Sequence, residues 1–180
     1  MRVTIEDLTD GILGLCVGGK ETLKRDLQDL REGCLKGVDE DVALGELFML
    51  RGFLAAYAVQ TFFSTAAQHD IREAFNRGLH RMLLGSGNER IKAQPNVAID
   101  EMNKRYNLYL EAIHTPHQLG PAWNVGKVFA GLCGRDLDVS VVMVGSVEFG
   151  GAMTAITDFL SKCKQMDGGD VIDLPDRPHG

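Results

Sequence analysis

The sequence predicts an all-α protein, a single-domain bundle of about six to eight helices. Apolar side chains recur at spacings of three and four residues along most of the 180-residue chain, which is the period of an α-helix. Prolines and glycine pairs fall where these runs begin and end. The apolar fraction of 44% suffices for a buried core, and we expect residues 1–166 to form one helical domain.

Two helices are predicted in the N-terminal region. The first begins after Thr4, whose hydroxyl suits a helix N-cap, and ends at Gly18-Gly19. The second occupies residues 20–33, where three leucines lie on one face and charges on the other. The 21 glycines of the chain are expected mainly to end helices, and at some positions to let helices approach closely.

The helix predicted over residues 41–63 is apolar nearly all round. A helix of this kind belongs in the centre of a core or against a second subunit. We therefore expect the bundle to pack around it, and the same feature suggests a homodimer.

Three further helices are predicted over residues 68–84, 95–114 and 121–134, the last two beginning at prolines. Residues 138–146 contain four valines, which favour a strand. A stripe of helical spacing nevertheless continues from Val142 to Cys163, and a lone strand would have no partner. We therefore predict a helix here, with a break near Gly145 or Gly150. The tail over residues 167–180 is rich in Gly, Pro and Asp, and is predicted to be disordered.

The segment "GLCVGGKE", residues 14–21, matches much of the phosphate-binding pattern G-x-x-x-x-G-K-[ST]. That loop needs a preceding strand and a hydroxyl that holds magnesium. Here the preceding residues have helical spacing, and Glu21 replaces the hydroxyl. We interpret the segment as a link between helices, and we predict no cofactor.

Polar side chains form one stripe on the helix over residues 68–84: His69, Glu73, Asn76 and His80. Two imidazoles and a carboxylate could bind Zn²⁺ or iron. The apolar residues of this helix lie on the opposite side of the helical wheel. The stripe is therefore predicted to face water, and Glu73 to pair with Arg77.

A second stripe lies on the helix over residues 95–114: Asn103, Asn107, Glu111 and His114. Glu111-x-x-His114 has the spacing of a di-iron ligand pair, which requires a second such pair that this chain lacks. The stripe borders the apolar face of its helix, a position that could line a groove.

The formal charge of −6 argues against nucleic acid or an anionic membrane as a partner. The N-terminal residues lack the hydrophobic segment of a secretory signal, so we expect a cytoplasmic protein. The catalytic residues are unknown, because no nucleophile with a paired base is recognisable.

We accordingly predict a non-catalytic interaction or assembly module that acts as a homodimer, with another protein partner also possible. One alternative is a helical metal-dependent hydrolase or oxidase that uses His69, Glu73, His80, Glu111 and His114. Another is a small-molecule-binding bundle with a pocket near Tyr57, Tyr106 and Trp123.

Overall fold

The computed structural model describes residues 5–16, 34–62, 65–85, 95–136 and 138–166. Within these ranges the chain forms helices and no strand, which confirms the all-α prediction. The helices are α1 (Ile5–Cys16), α2 (Glu40–Phe62), α3 (Thr65–Gly85), α4 (Pro95–His114), α5 (Gly120–Leu132) and α6 (Val139–Met166). The helix predicted over residues 20–33 and the tail over residues 167–180 lie outside the described residues.

Side chains that accept or donate hydrogen bonds mark several helix ends. Asp39 Oδ1 accepts from the backbone N–H of Asp41 and Val42 at 3.0 and 3.1 Å, which caps the start of α2. The buried Asn124 of α5 donates from Nδ2 to the carbonyl oxygens of Ala112 and Thr115, at 3.1 and 2.7 Å. These two bonds satisfy carbonyls at the end of α4 and attach α5 to it.

The valine-rich segment is helical. Asp138 Oδ1 accepts from the N–H of Ser140 at 3.1 Å, and α6 then continues without interruption to Met166. The prediction of helix is confirmed, whereas the expected break at Gly145 or Gly150 does not occur. Val141, Val142 and Val144 are buried, so the β-branched residues pack in the core rather than in a sheet.

Helix α2 contacts α1, α3, α4, α5 and α6. Leucines and alanines on several sides of it are completely buried: Leu47, Leu50, Leu54, Ala55 and Ala58. Neighbouring helices of the same chain therefore cover these apolar side chains. The residues before Gly14 belong to α1, so no strand leads into "GLCVGGKE".

Helices α5 and α6 form an antiparallel pair that approaches closely at two glycines. A Cβ atom added to Gly145 would lie 2.8 Å from both the Gly126 Cα and the Phe129 Cβ. A Cβ atom added to Gly126 would collide with the Val142 carbonyl oxygen and the Ser146 Oγ. At both positions the packing of the two helices, rather than the end of a helix, requires glycine.

We expect Gly126→Ala and Gly145→Ala each to lower the free energy of unfolding by about 2–3 kcal/mol, because the new methyl group forces the two helices apart. Gly150→Ala is the matched control, since no atom lies within 4 Å of its added Cβ. This control should stabilise α6 by about 0.5–1 kcal/mol, because alanine favours the helix. Urea unfolding of the three variants measures the difference, and equal effects at Gly145 and Gly150 would contradict the close approach.

Candidate binding groove between α2, α3 and α4

A groove of about 890 Å³ lies between α3 and α4, with α2 beneath it. In the described part of the chain, α3 and α4 both pack on α2, but they do not pack extensively on each other. The groove is the space that this arrangement leaves open. Residues from all three helices line it.

The groove is apolar at depth and polar at its rim. Phe53 and Val59 of α2, Phe75 of α3 and Met102 of α4 are buried lining residues. The rim carries exposed polar side chains from the three helices: Gln60, His69, Arg72, Asn76, Asn103 and Asn107. Apolar pockets with a few converging polar groups are typical of sites for small molecules.

Aromatic rings form the middle of the groove. Phe53 stacks on Tyr57, with ring centroids 5.9 Å apart, and meets Tyr106 edge-on at 5.6 Å. Both tyrosines are half-buried lining residues. The Tyr106 hydroxyl lies over Gly52 of α2, where an added Cβ would be 2.6 Å from it. The absence of a side chain at Gly52 therefore sets how close this ring lies to α2.

A charged cluster beside the groove attaches α4 to α2. Arg105 Nε lies 2.9 Å from both carboxylate oxygens of Glu46, and Arg105 Nη2 lies 2.7 Å from Glu46 Oε1. Arg105 Nη1 also donates to Glu101 one turn earlier on α4. The hydrogen bond to Glu46 is the largest cause that raises the pKa of Arg105, while the hydrogen bond from Arg105 lowers the pKa of Glu101. Both shifts favour the charged forms, so the cluster stays ionised and holds α4 in place.

Tyr109 lies behind the groove, where it stacks on Phe53 with ring centroids 5.3 Å apart. It is completely buried, and burial raises the pKa of its hydroxyl well above the ordinary value. Its hydroxyl has no hydrogen-bond partner among the described residues. Tyr109 therefore supports the aromatic layer from the core side but does not line the groove.

The groove brings together parts of the two predicted polar stripes. His69 and Asn76 line it from α3, and Asn103 and Asn107 line it from α4. The other members of the stripes (Glu73, His80, Glu111 and His114) are exposed and do not line it. Glu73 pairs with Arg77 at 3.5 Å, as predicted.

The five candidate metal ligands do not converge. Among the residues that the structure describes, which include His69, Glu73, His80, Glu111 and His114, no three His, Cys, Asp or Glu side chains lie close enough to hold a metal ion. The metal-dependent alternative therefore gains no support from the geometry.

The predicted pocket is present in part. Tyr57 and Tyr106 line the groove, whereas Trp123 packs half-buried against the core from α5. The sequence analysis did not single out Arg72, which lines the groove from α3. Arg72 is three residues after His69 and four before Asn76, so helical spacing alone places the three side chains on the same face.

No family model matches this chain, and no curated protein or solved structure matches it either. Its function must therefore be inferred from the groove and the surfaces around it.

We expect Glu46→Gln to lower the free energy of unfolding by about 2–4 kcal/mol, because it leaves the largely buried Arg105 without its main partner. The double variant Glu46→Leu/Arg105→Met should regain most of this loss, since apolar side chains can replace a buried ion pair.

Glu73→Gln is the matched control, because it breaks an ion pair whose side chains are 55% and 64% exposed. We expect it to cost less than about 0.5 kcal/mol. Denaturant unfolding of the variants tests the prediction, and a Glu46→Gln cost no larger than that of the control would contradict it.

Proposed function

We propose that this protein binds a small molecule in the groove between α2, α3 and α4. The convergence of polar side chains from both stripes on one aromatic-lined groove carries the proposal. Its volume of about 890 Å³ suits a ligand of ordinary metabolite or drug size. The finer architecture that we propose with it is a single domain whose helices are organised around α2.

The lining chemistry supports binding rather than catalysis. The described residues that line the groove include no Ser, Thr, Cys, Lys, Asp or Glu. Covalent catalysis by a side chain usually depends on such a nucleophile beside a general base. Amides and aromatic rings instead orient a ligand without reacting with it.

A tryptophan placed in the groove tests this function. We expect Ala56→Trp to abolish ligand binding, because Ala56 is a half-buried lining residue of α2 and the larger indole side chain would occupy part of the groove. A thermal-shift screen of metabolites should first identify compounds that raise the Tm of the wild type, as a bound ligand stabilises the folded state.

Val97→Trp is the matched control, because Val97 is 57% exposed on α4 and does not line the groove. It should keep the ligand-induced rise in Tm. If Ala56→Trp also keeps that rise while remaining folded, the ligand binds elsewhere and the groove is not the site.

We propose self-association as a second function, supported by the exposed face of α6. Val139, Met143 and Val147 are 60%, 47% and 64% exposed at successive four-residue spacings. The exposed residues of α6 from Val139 to Thr154 carry no charge. A second copy of this chain suits such a face, because a two-fold interface places the same uncharged surface on both sides.

Two helices have the length and composition of membrane spans, and their environments differ. Residues 40–61 of α2 and 139–160 of α6 both have a mean hydropathy of 1.6, but 56% of the first segment is buried against 28% of the second. Burial of α2 is what a core helix requires, and self-association would cover part of α6. On this basis we propose a cytoplasmic homodimer that does not bind membranes or nucleic acid, and other proteins are possible partners.

Sedimentation velocity at micromolar concentration tests the second proposal. We expect a dimer for the wild type and a monomer for Met143→Glu, because the variant places a charge in the middle of the α6 face. Leu108→Glu is the matched control, since Leu108 is 45% exposed on α4, and it should remain dimeric. A monomeric wild type would contradict self-association. Recovery of the wild type with liposomes in a flotation assay would contradict the proposal that the protein does not bind membranes.

A further inference from the structure

One arginine at the rim of the groove, Arg72, is relevant to the charge of a ligand. Helix α3 carries Arg72, Arg77 and Arg81 on its described surface. Arg77 lies 3.4 Å from Glu6, and Arg81 lies 3.4 Å from Asp10. Among the described residues, Arg72 alone of the three has no carboxylate within ion-pair distance.

Arg72 is the charged side chain that lines the groove in the described part of the chain. None of the described residues that line it is an aspartate or a glutamate, although the whole chain has a formal charge of −6. At physiological ionic strength a charge more than about 8 Å away is largely screened. The lining of the groove therefore carries the positive charge of Arg72 and no negative charge among the described residues.

We propose that the ligand is a small aromatic anion whose anionic group binds Arg72. This inference rests on the proposed binding function of the groove. A guanidinium donates paired hydrogen bonds to a carboxylate, sulfonate or phosphate. All three groups are anions with oxygen atoms that accept hydrogen bonds from the guanidinium of Arg72.

The other lining residues match the aromatic part of such a ligand. Tyr57 and Tyr106 are half-buried on either side of Phe53, and aromatic rings pack well against such surfaces. Asn103 and Asn107 lie on the α4 wall, opposite Arg72. Their amides both donate and accept hydrogen bonds, so they suit a polar ring edge of either kind.

Two fluorescent dyes with the same ring system test the inference. The anion 1-anilinonaphthalene-8-sulfonate carries a sulfonate, and N-phenyl-1-naphthylamine is its uncharged counterpart. We measure the dissociation constants of both dyes for the folded wild type and for folded variants, with circular dichroism as the check on folding. The ratio of the two constants removes the contribution of the shared rings.

We expect Arg72→Gln to weaken binding of the anionic dye roughly fivefold, the size of a partly exposed ion pair, and to leave the uncharged dye unchanged. Arg77→Gln removes the same charge from α3 outside the groove. It should change the dissociation constant of neither dye. Added salt should weaken binding of the anionic dye to the wild type but not to Arg72→Gln.

The variants separate failure of the inference from failure of the binding function. If Ala56→Trp abolishes binding of both dyes while Arg72→Gln changes neither, the groove binds ligands but Arg72 does not select an anion, and the inference is wrong. If both dyes bind Ala56→Trp as tightly as the wild type, or if neither dye binds the wild type saturably, the binding function itself is contradicted. Loss of dye binding in Met143→Glu alone would place the dyes on α6. That result would contradict both the binding function of the groove and the role of Arg72.

Discussion

The burial of two charged side chains of α2, Glu46 and Arg51, is the constraint on which the rest of the structure depends. Glu46 and Arg51 lie on a helix that contacts α1, α3, α4, α5 and α6. An unpaired charge in such a place costs several kcal/mol. Arg105 of α4 neutralises Glu46, and Glu148 of α6 neutralises Arg51 through two hydrogen bonds of 2.8 and 3.0 Å. These pairs therefore set the positions of α4 and α6 along α2. Tyr106 follows Arg105 directly, so the same pair also places an aromatic ring in the groove.

The two sides of the bundle differ because their helices meet α2 differently. On one side, Gly126 and Gly145 bring α5 and α6 close enough that no side chain separates their backbones. On the other side, α3 and α4 diverge, and larger polar side chains such as Arg72 and Asn107 border the space between them. Close packing leaves no room for a ligand between α5 and α6 at these two glycines. The space between α3 and α4 offers both volume and hydrogen-bonding groups.

Helical periodicity was enough to predict the described helices, including α6 against the preference of its valines for strands. It also placed the stripe of α3 towards water and the stripe of α4 at the border of an apolar face. It was not enough to predict which parts of the two stripes share one groove. Whether His69 and Asn103 face the same space depends on the angles at which α3 and α4 cross α2. The spacing of residues within one helix gives no information about these angles. Glu46 and Arg105 are 59 residues apart in the sequence. The sequence offers each of them many other residues of opposite charge as partners. The close approach at Gly126 was missed for the same reason, because a helix-ending glycine and a helix-packing glycine look alike until the neighbouring helix is known.

The groove and the exposed face of α6 both lie next to α2, but they have no residue in common. Gly52 and Phe53 lie at the groove, whereas the preceding residue, Arg51, reaches Glu148 on α6. Helical geometry turns successive side chains by about 100°, so adjacent positions of α2 serve different neighbours. The exposed α6 residues around Met143 are not among the lining residues of the groove. Ligand binding and self-association are therefore compatible in one molecule, and each is open to test by substitutions that leave the other surface intact.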